Sequence, residues 1–248
     1  MVATAMEVHD PLILPSNCAT CPVRRFTAYS GIPAASIPYL ESVRIGSRTL
    51  PARSSICYEA AASAELYTLY DGWAFTYKLL PDGRRQILEF LLPGDPIGLQ
   101  ALWLDVIPHS AQALTEVTLC VFDLEQFSGL TIGRPEQEWS ILGYLAARQA
   151  QTEERLVDLG RRTATERIAR LILDICDHLG ARGLGVGLSH DDSFPFHLRQ
   201  EHIADALGLT KAHVSRTLQT LRREGLVVDT NRRRVTLVDT VGLRQRLA

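Results

Sequence analysis

Apolar and polar positions alternate over short runs between Val43 and Phe127. Trp73, Phe75, Tyr77 and Leu79 are separated by smaller or polar residues, and Ile87 to Leu92 forms a second apolar run. Between them stands Pro81-Asp82-Gly83, where proline presets φ and glycine accepts the positive φ of a tight turn, so the two runs predict a β-hairpin. Pro93-Gly94-Asp95-Pro96 is another turn cluster and Leu114 to Phe122 another strand. Short strands at this spacing predict a sandwich or barrel-like roll. Residues 1–17 are punctuated by proline and have no period, which predicts an extended or disordered arm.

The period changes after Pro135. Leu142, Leu145, Gln149, Thr152, Leu156 and Leu159 recur at alternating intervals of three and four, a heptad seam with two polar members on a helix running to about Gly160. Such a stripe either pairs with a second copy or lies on the core of its own domain. A second helix follows from Thr163 to Leu179, with Ile168, Leu171, Ile172, Ile175 and Leu179 on one face and Gly180 just past its end. Gly183 to Ser193, rich in glycine and acid, reads as a loop.

The segment QEHIADALGLTKAHVSRTLQTLRREGL, residues 200–226, is punctuated as a helix-turn-helix. Small Ala204 lets two helices approach, and Gly208 supplies the positive φ of the turn. Thr210 can cap the second helix, whose inward face is Val214, Leu218 and Leu221, with Ile203, Leu207 and Leu209 completing a small core. Its first turns turn Lys211, His213, Ser215 and Arg216 outward, where a helix entering the major groove meets base edges. Gly225 ends the helix. Leu226-Val227-Val228 and Val235-Thr236-Leu237-Val238 then read as two strands of a wing. Arg232, Arg233 and Arg234 at its tip, with Gln200 and Thr210, are the candidates for phosphate contact.

Composition adds a charge split. The 248 residues carry a formal net charge of −2. Residues 161–248 hold fifteen basic and ten acidic residues, whereas residues 1–160 hold eleven and eighteen. A basic half bearing a helix-turn-helix points to nucleic acid. With 46% hydrophobic and 22% charged residues the chain has an ordinary globular balance, and its length suggests two domains. No apolar run approaches the ~18 residues of a membrane span, and the acidic start is a poor secretory signal. Five cysteines are too few for a disulfide scaffold. Together these predict a cytoplasmic protein with no membrane partner.

In order and spacing, CATC (18–21), LYDGWAFTYKLLPDGRRQILEFLLPGDPIG, HSAQALTEVTLCVFDLEQF, the long helix and the helix-turn-helix resemble the Crp/Fnr superfamily of bacterial transcription regulators. The likeness covers roughly residues 18 to 240. It implies an α+β chain: a cyclic-nucleotide-binding-like β-roll, a long central dimerisation helix and a C-terminal winged helix-turn-helix. The corresponding boundaries are an arm at 1–33, the roll at 34–132, the helix at 133–160 and the DNA-binding domain at 161–248. It also implies a homodimer on a near-palindromic site in double-stranded DNA, in contact with RNA polymerase. The family's base-reading positions fall on Lys211, Ala212 and Arg216. Arg216 suits a bidentate contact to guanine, whereas Ala212, standing where the family has glutamate, cannot accept from a cytosine amino group.

For the sensor, cAMP-binding relatives place a glutamate after the glycine turn and an Arg-Ser pair later. Here Leu99 and His109-Ser110 occupy those places, which argues against cAMP because imidazole replaces a guanidinium fork poorly. The Fnr branch holds an iron–sulfur cluster on three N-terminal cysteines and one in the roll, soft thiolates suiting such clusters. Cys18, Cys21 and Cys120 match three of the four, and the third N-terminal cysteine is missing from Pro22 to Tyr29. A cluster would need another ligand, with His9 and Asp10 the polar candidates in the arm. The same three residues also fit a thiol–disulfide switch, an adventitious metal site or a relic. Cys57 and Cys176 read as structural. An enzyme of the CxxC oxidoreductase kind would need a strand before the first cysteine and a helix starting at it, and a proline-rich arm stands there instead.

Overall fold

A computed structural model describes residues 17–28, 30–131, 135–183, 193–230, 234–237 and 240–245. The N-terminal part folds from a short helix α1 (Ile37–Ser42) into eight strands: β1 (Arg44–Leu50), β2 (Ser55–Cys57), β3 (Glu65–Asp71), β4 (Ala74–Leu79), β5 (Arg85–Leu91), β6 (Pro96–Ile97), β7 (Ser110–Ala113) and β8 (Val117–Asp123). They form two antiparallel four-stranded sheets, ordered β1-β8-β3-β6 and β2-β7-β4-β5. The hairpin expected around Pro81-Asp82-Gly83 is β4–β5, paired from Ala74↔Leu91 to Leu79↔Arg85. The strand expected from Leu114 begins at Val117, because Leu114 and Thr115 instead bond back to the Trp73 carbonyl.

Side-chain alternation sorts three cores. On β8, Leu119 and Val121 point between the sheets with Leu69, Leu91 and Ile97, while Cys120 and Phe122 point outward. That outer face is covered by Cys18, Ala28, Ile32, Leu40 and Phe127. The N-terminal segment is therefore held on the roll from Cys18 onward, while residues 1–16 of the expected arm lie outside the described residues. Gly94 permits this closure: its φ is +103° and a Cβ there would stand 2.8 Å from that of Phe26.

Helix α2 (Leu124–Thr131) leads to the long α3 (Pro135–Arg161) and then α4 (Ala164–Ala181). Thr163 caps α4 in a reciprocal box with Glu166. Gly180 lies inside this helix, not beyond it; Gly183, at φ +67°, follows the last turn. Beyond α4 come β9 (Ser193–Pro195), α5 (Gln200–Leu207), α6 (Lys211–Arg223), β10 (Val227–Thr230), β11 (Arg234–Leu237) and α7 (Thr240–Gln245). The wing is three-stranded, ordered β10-β11-β9, where the sequence predicted a two-stranded hairpin.

The third core joins the two halves of the molecule. Phe75 and Phe90 on the outer face of β4–β5, with Trp73 and Leu92 at the adjoining ends of these strands, share it with Ile168, Ile172 and Ile175 of α4 and Ile203 of α5. Polar contacts flank it. Arg85 donates twice to Asp205 Oδ2, at 2.9 and 2.7 Å, and Gln86 donates to the Ala206 carbonyl at 3.0 Å. Asp95, 2% exposed, receives Arg182 at 2.6 Å and the Leu92 amide at 2.8 Å.

Candidate nucleic-acid interface and cysteine cluster

The turn between α5 and α6 has the geometry the sequence asks for. Gly208 takes φ +63° and ψ 36°, and the Leu209 amide bonds the Ala204 carbonyl at 3.1 Å. Thr210 Oγ1 accepts the His213 amide at 3.2 Å, satisfying an otherwise orphan donor of α6. Val214, Thr217 and Leu221 are buried, which fixes the roll of α6 and leaves Lys211, Ala212, His213, Arg216, Gln219 and Arg223 exposed on its other side. Ser215 is half-buried, and Gln200 is exposed at the start of α5. Arg216 makes no side-chain ion pair among the described residues, so its fork is available. Lys211 differs, because its Nζ donates to Glu201 Oε2 at 3.2 Å.

Gln219 and Arg223 extend the row past the turns that sequence reading singled out. Their signal is the helical period itself, since 216, 219 and 223 follow one another at three and four. Arg232 and Arg233 lie outside the described residues, and Arg234 opens β11.

Along α3 the predicted seam divides. Leu142 and Leu156 are 51% and 66% exposed, and Gln149 and Thr152 are exposed beside them. Leu145 and Leu159 are instead half-buried within the chain, Leu145 on the cluster around Phe127. The helix advances 3.6 residues per turn, so a strict heptad drifts around it over three turns. Trp139, 72% exposed, and Val157 belong to the open face and were not read from the sequence.

The cysteines fall into separate environments. Cys18 and the outward-facing Cys120 share one core, Cys57 lies between the sheets, and Cys176 packs on α4's core. Cys18, Cys21 and Cys120 lie within electrostatic reach of one another. Burial, with a contribution from Cys21 and Cys18, pushes the Cys120 thiol up to about 11, against the pull of Arg44. Burial likewise raises Cys18, whose backbone amide donates to Glu41 at 2.8 Å. Among the described residues no group of three or more His, Cys, Asp or Glu side chains is placed to hold a metal. Ligating an iron–sulfur cluster would require these thiols to lose their protons, which burial opposes, and a fourth ligand beside them. His9 and Asp10 lie outside the described residues.

At the cyclic-nucleotide positions, Leu99 is buried and Ser110 Oγ already accepts the Glu59 amide at 3.0 Å. Burial, then the nearby Lys78, lowers the His109 pKa and keeps its imidazole neutral.

A sheet roll, a long helix with an open apolar face and an anchored helix-turn-helix with a wing define a DNA-binding regulator of the cyclic-nucleotide-sensor architecture. Family models agree: the cyclic nucleotide-binding domain matches residues 47–132 and the Crp-like helix-turn-helix domain residues 166–246. The nitrogen fixation regulation protein FixK of Bradyrhizobium diazoefficiens is 34% identical over 212 residues, 85% of each chain. The transcriptional activator protein FnrL of Cereibacter sphaeroides is 26% identical over 234 residues, 94% of this chain and 93% of that one. The solved structure of FixK2 from Bradyrhizobium japonicum superposes with a TM-score of 0.73 at 25% identity, covering 82% of this chain and 96% of the other. The chain belongs to the Crp/Fnr family of transcription regulators. No helix among the described residues is long and apolar enough to cross a membrane.

Proposed function

We propose that this protein binds a near-palindromic operator in double-stranded DNA as a homodimer in the cytoplasm and acts on transcription through contact with RNA polymerase. The observation that carries the reading is the exposed row Lys211, Ala212, His213 and Arg216 on a helix locked in roll by Val214, Thr217 and Leu221. Such a helix can enter the major groove N-terminus first. The near-palindrome follows from two-fold pairing of α3 through Trp139, Leu142, Gln149, Thr152 and Leu156. Arg216→Ala is expected to cost about 1–3 kcal/mol at the operator and to relax base choice at one position. Replacing Arg232, Arg233 and Arg234 together is expected to weaken all DNA alike and flatten the salt dependence. Titration of operator and scrambled duplexes checks both, and equal losses on the two duplexes for Arg216→Ala would remove it from base reading.

The signal is oxygen or redox state, received by Cys18, Cys21 and Cys120. Their co-location supports this, with half-exposed Cys21 the accessible member beside two buried thiols. Neither buried, apolar Leu99 nor His109, which lacks a guanidinium fork, suits cAMP. Serine variants of the three cysteines are expected to remove the difference in operator affinity between oxidised and reduced protein. Iron and sulfide analysis of protein purified without oxygen separates a cluster held by these cysteines from a thiol–disulfide switch. Unchanged affinities in every variant would assign the cysteines to packing alone.

A second reading, control by a small effector other than cAMP, has one observation behind it. A cavity of about 240 Å³ lies between β5, α3 and α4, lined by Phe90, Gln151, Arg155, Asp174 and His178 among others. It sits at the helix junction rather than inside the roll.

A further inference from the structure

One acid stands among the cations of the DNA-facing surface. Glu201 is the second residue of α5, and its carboxylate receives Lys211 Nζ at 3.2 Å from the first residue of α6. Its other oxygen lies 3.5 Å from Arg199 and 3.8 Å from His202 Nε2. His202 is buried and accepts the Arg199 amide on Nδ1 at 3.1 Å, and burial holds it neutral, so the charge partners are Lys211 and Arg199. The hydrogen bond from Lys211 is the main reason the Glu201 carboxyl stays below the usual carboxylate range. An acid in the first turn suits the helix dipole, but the first helix of this motif runs close to the phosphate backbone, where a carboxylate opposes DNA.

We infer that Glu201 is a positioning residue that sets DNA specificity by holding Lys211 in one place at the tip of the recognition helix. The inference rests on the reading of α6 as the base-reading helix. An operator complex uses Lys211 where it stands, on the first turn of α6 with its ammonium held to Glu201 at the start of α5. A complex with arbitrary sequence lacks base contacts and draws its affinity from phosphates. It gains from Lys211 only if the side chain swings to the nearest phosphate, and to do so it must leave Glu201. The carboxylate thus taxes the nonspecific complex more than the specific one. A lysine on a flexible four-carbon stem has the reach for that swing, which a rigid arginine fork has less of.

The experiment compares wild type, Glu201→Gln, Lys211→Met and the double variant, all full-length. One probe is a duplex selected by the wild type from a random pool, and the other is its scrambled counterpart. Glu201→Gln is expected to tighten binding to the scrambled duplex about three- to tenfold at low salt, and to steepen its log–log salt slope by about one. Binding to the selected duplex should stay within about twofold, so the specificity ratio falls. With methionine at 211 the glutamine substitution should change nothing. Equal tightening on both duplexes, no change on either, or a gain that persists in the double variant would each overturn the proposal. A wild type that selects no duplex at all would overturn the base-reading assignment itself, before any variant is compared.

Discussion

Leu156→Glu is expected to turn the proposed dimer into a monomer and to lower operator affinity by about two orders of magnitude or more, the usual gain from engaging two half-sites at once. Leu156 is two-thirds exposed in the single chain, so a carboxylate there meets water until a second copy approaches. In the pair it would face its symmetry mate across an apolar seam, where an unpaired charge is costly. Leu145 is a poorer probe. It is half-buried on its own subunit beside the cluster around Phe127, so glutamate there would harm the fold as well as the assembly. Sedimentation at micromolar concentration separates the outcomes, and a Leu156→Glu protein that still sediments as a dimer would reject this face of α3 as the seam.

Asp95→Ala is expected to cost about 3–5 kcal/mol in denaturant unfolding, the range found when one partner of a buried ion pair is removed. Asp95 and Arg182 lie 2.6 Å apart, with side chains only 2% and 11% exposed. Burial pushes the Asp95 carboxyl up and the Arg182 guanidinium pulls it part of the way back, so removing either member leaves the other buried without its partner. Truncation also strands the Leu92 amide, now held at 2.8 Å. Replacing Asp95 and Arg182 together by apolar residues should recover much of the loss. A cost below about 1 kcal/mol for Asp95→Ala alone would show that the pair does not tie α4 to the roll.

The helix-turn-helix was legible because its determinants are local. Gly208, Thr210 and the Val214–Leu221 spacing each act within one or two turns, and the structure realises all of them. The β4–β5 hairpin was legible for the same reason, its turn residues being adjacent in sequence. The third wing strand was not. Ser193–Pro195 is three residues long and becomes a strand only by pairing with β11, some forty residues later. The end of α4 was misplaced by one glycine, since Gly180 is tolerated within the helix and Gly183 supplies the left-handed residue. The meeting of Cys18 with Cys120 depends on how the N-terminal segment lies over β8, and the Arg85–Asp205 pair spans 120 residues. Neither carries a periodic signal. The heptad on α3 was visible, but which of its members face outward depends on what the helix's other side rests upon.

The aromatic face shared by β4–β5 and α4–α5 bears on how such regulators diversify. Trp73, Phe75 and Phe90 are interior residues only because Ile168, Ile172 and Ile203 cover them. The roll and the helix-turn-helix half are therefore not interchangeable cassettes in this molecule. A chimera that grafts a relative's reading head onto this roll must also import a matching lid for those three rings and an acid opposite Arg85. Otherwise it inherits an exposed aromatic patch of the kind that drives self-association. Drift in one half of the gene is thereby constrained by the other, even at positions distant from the recognition helix.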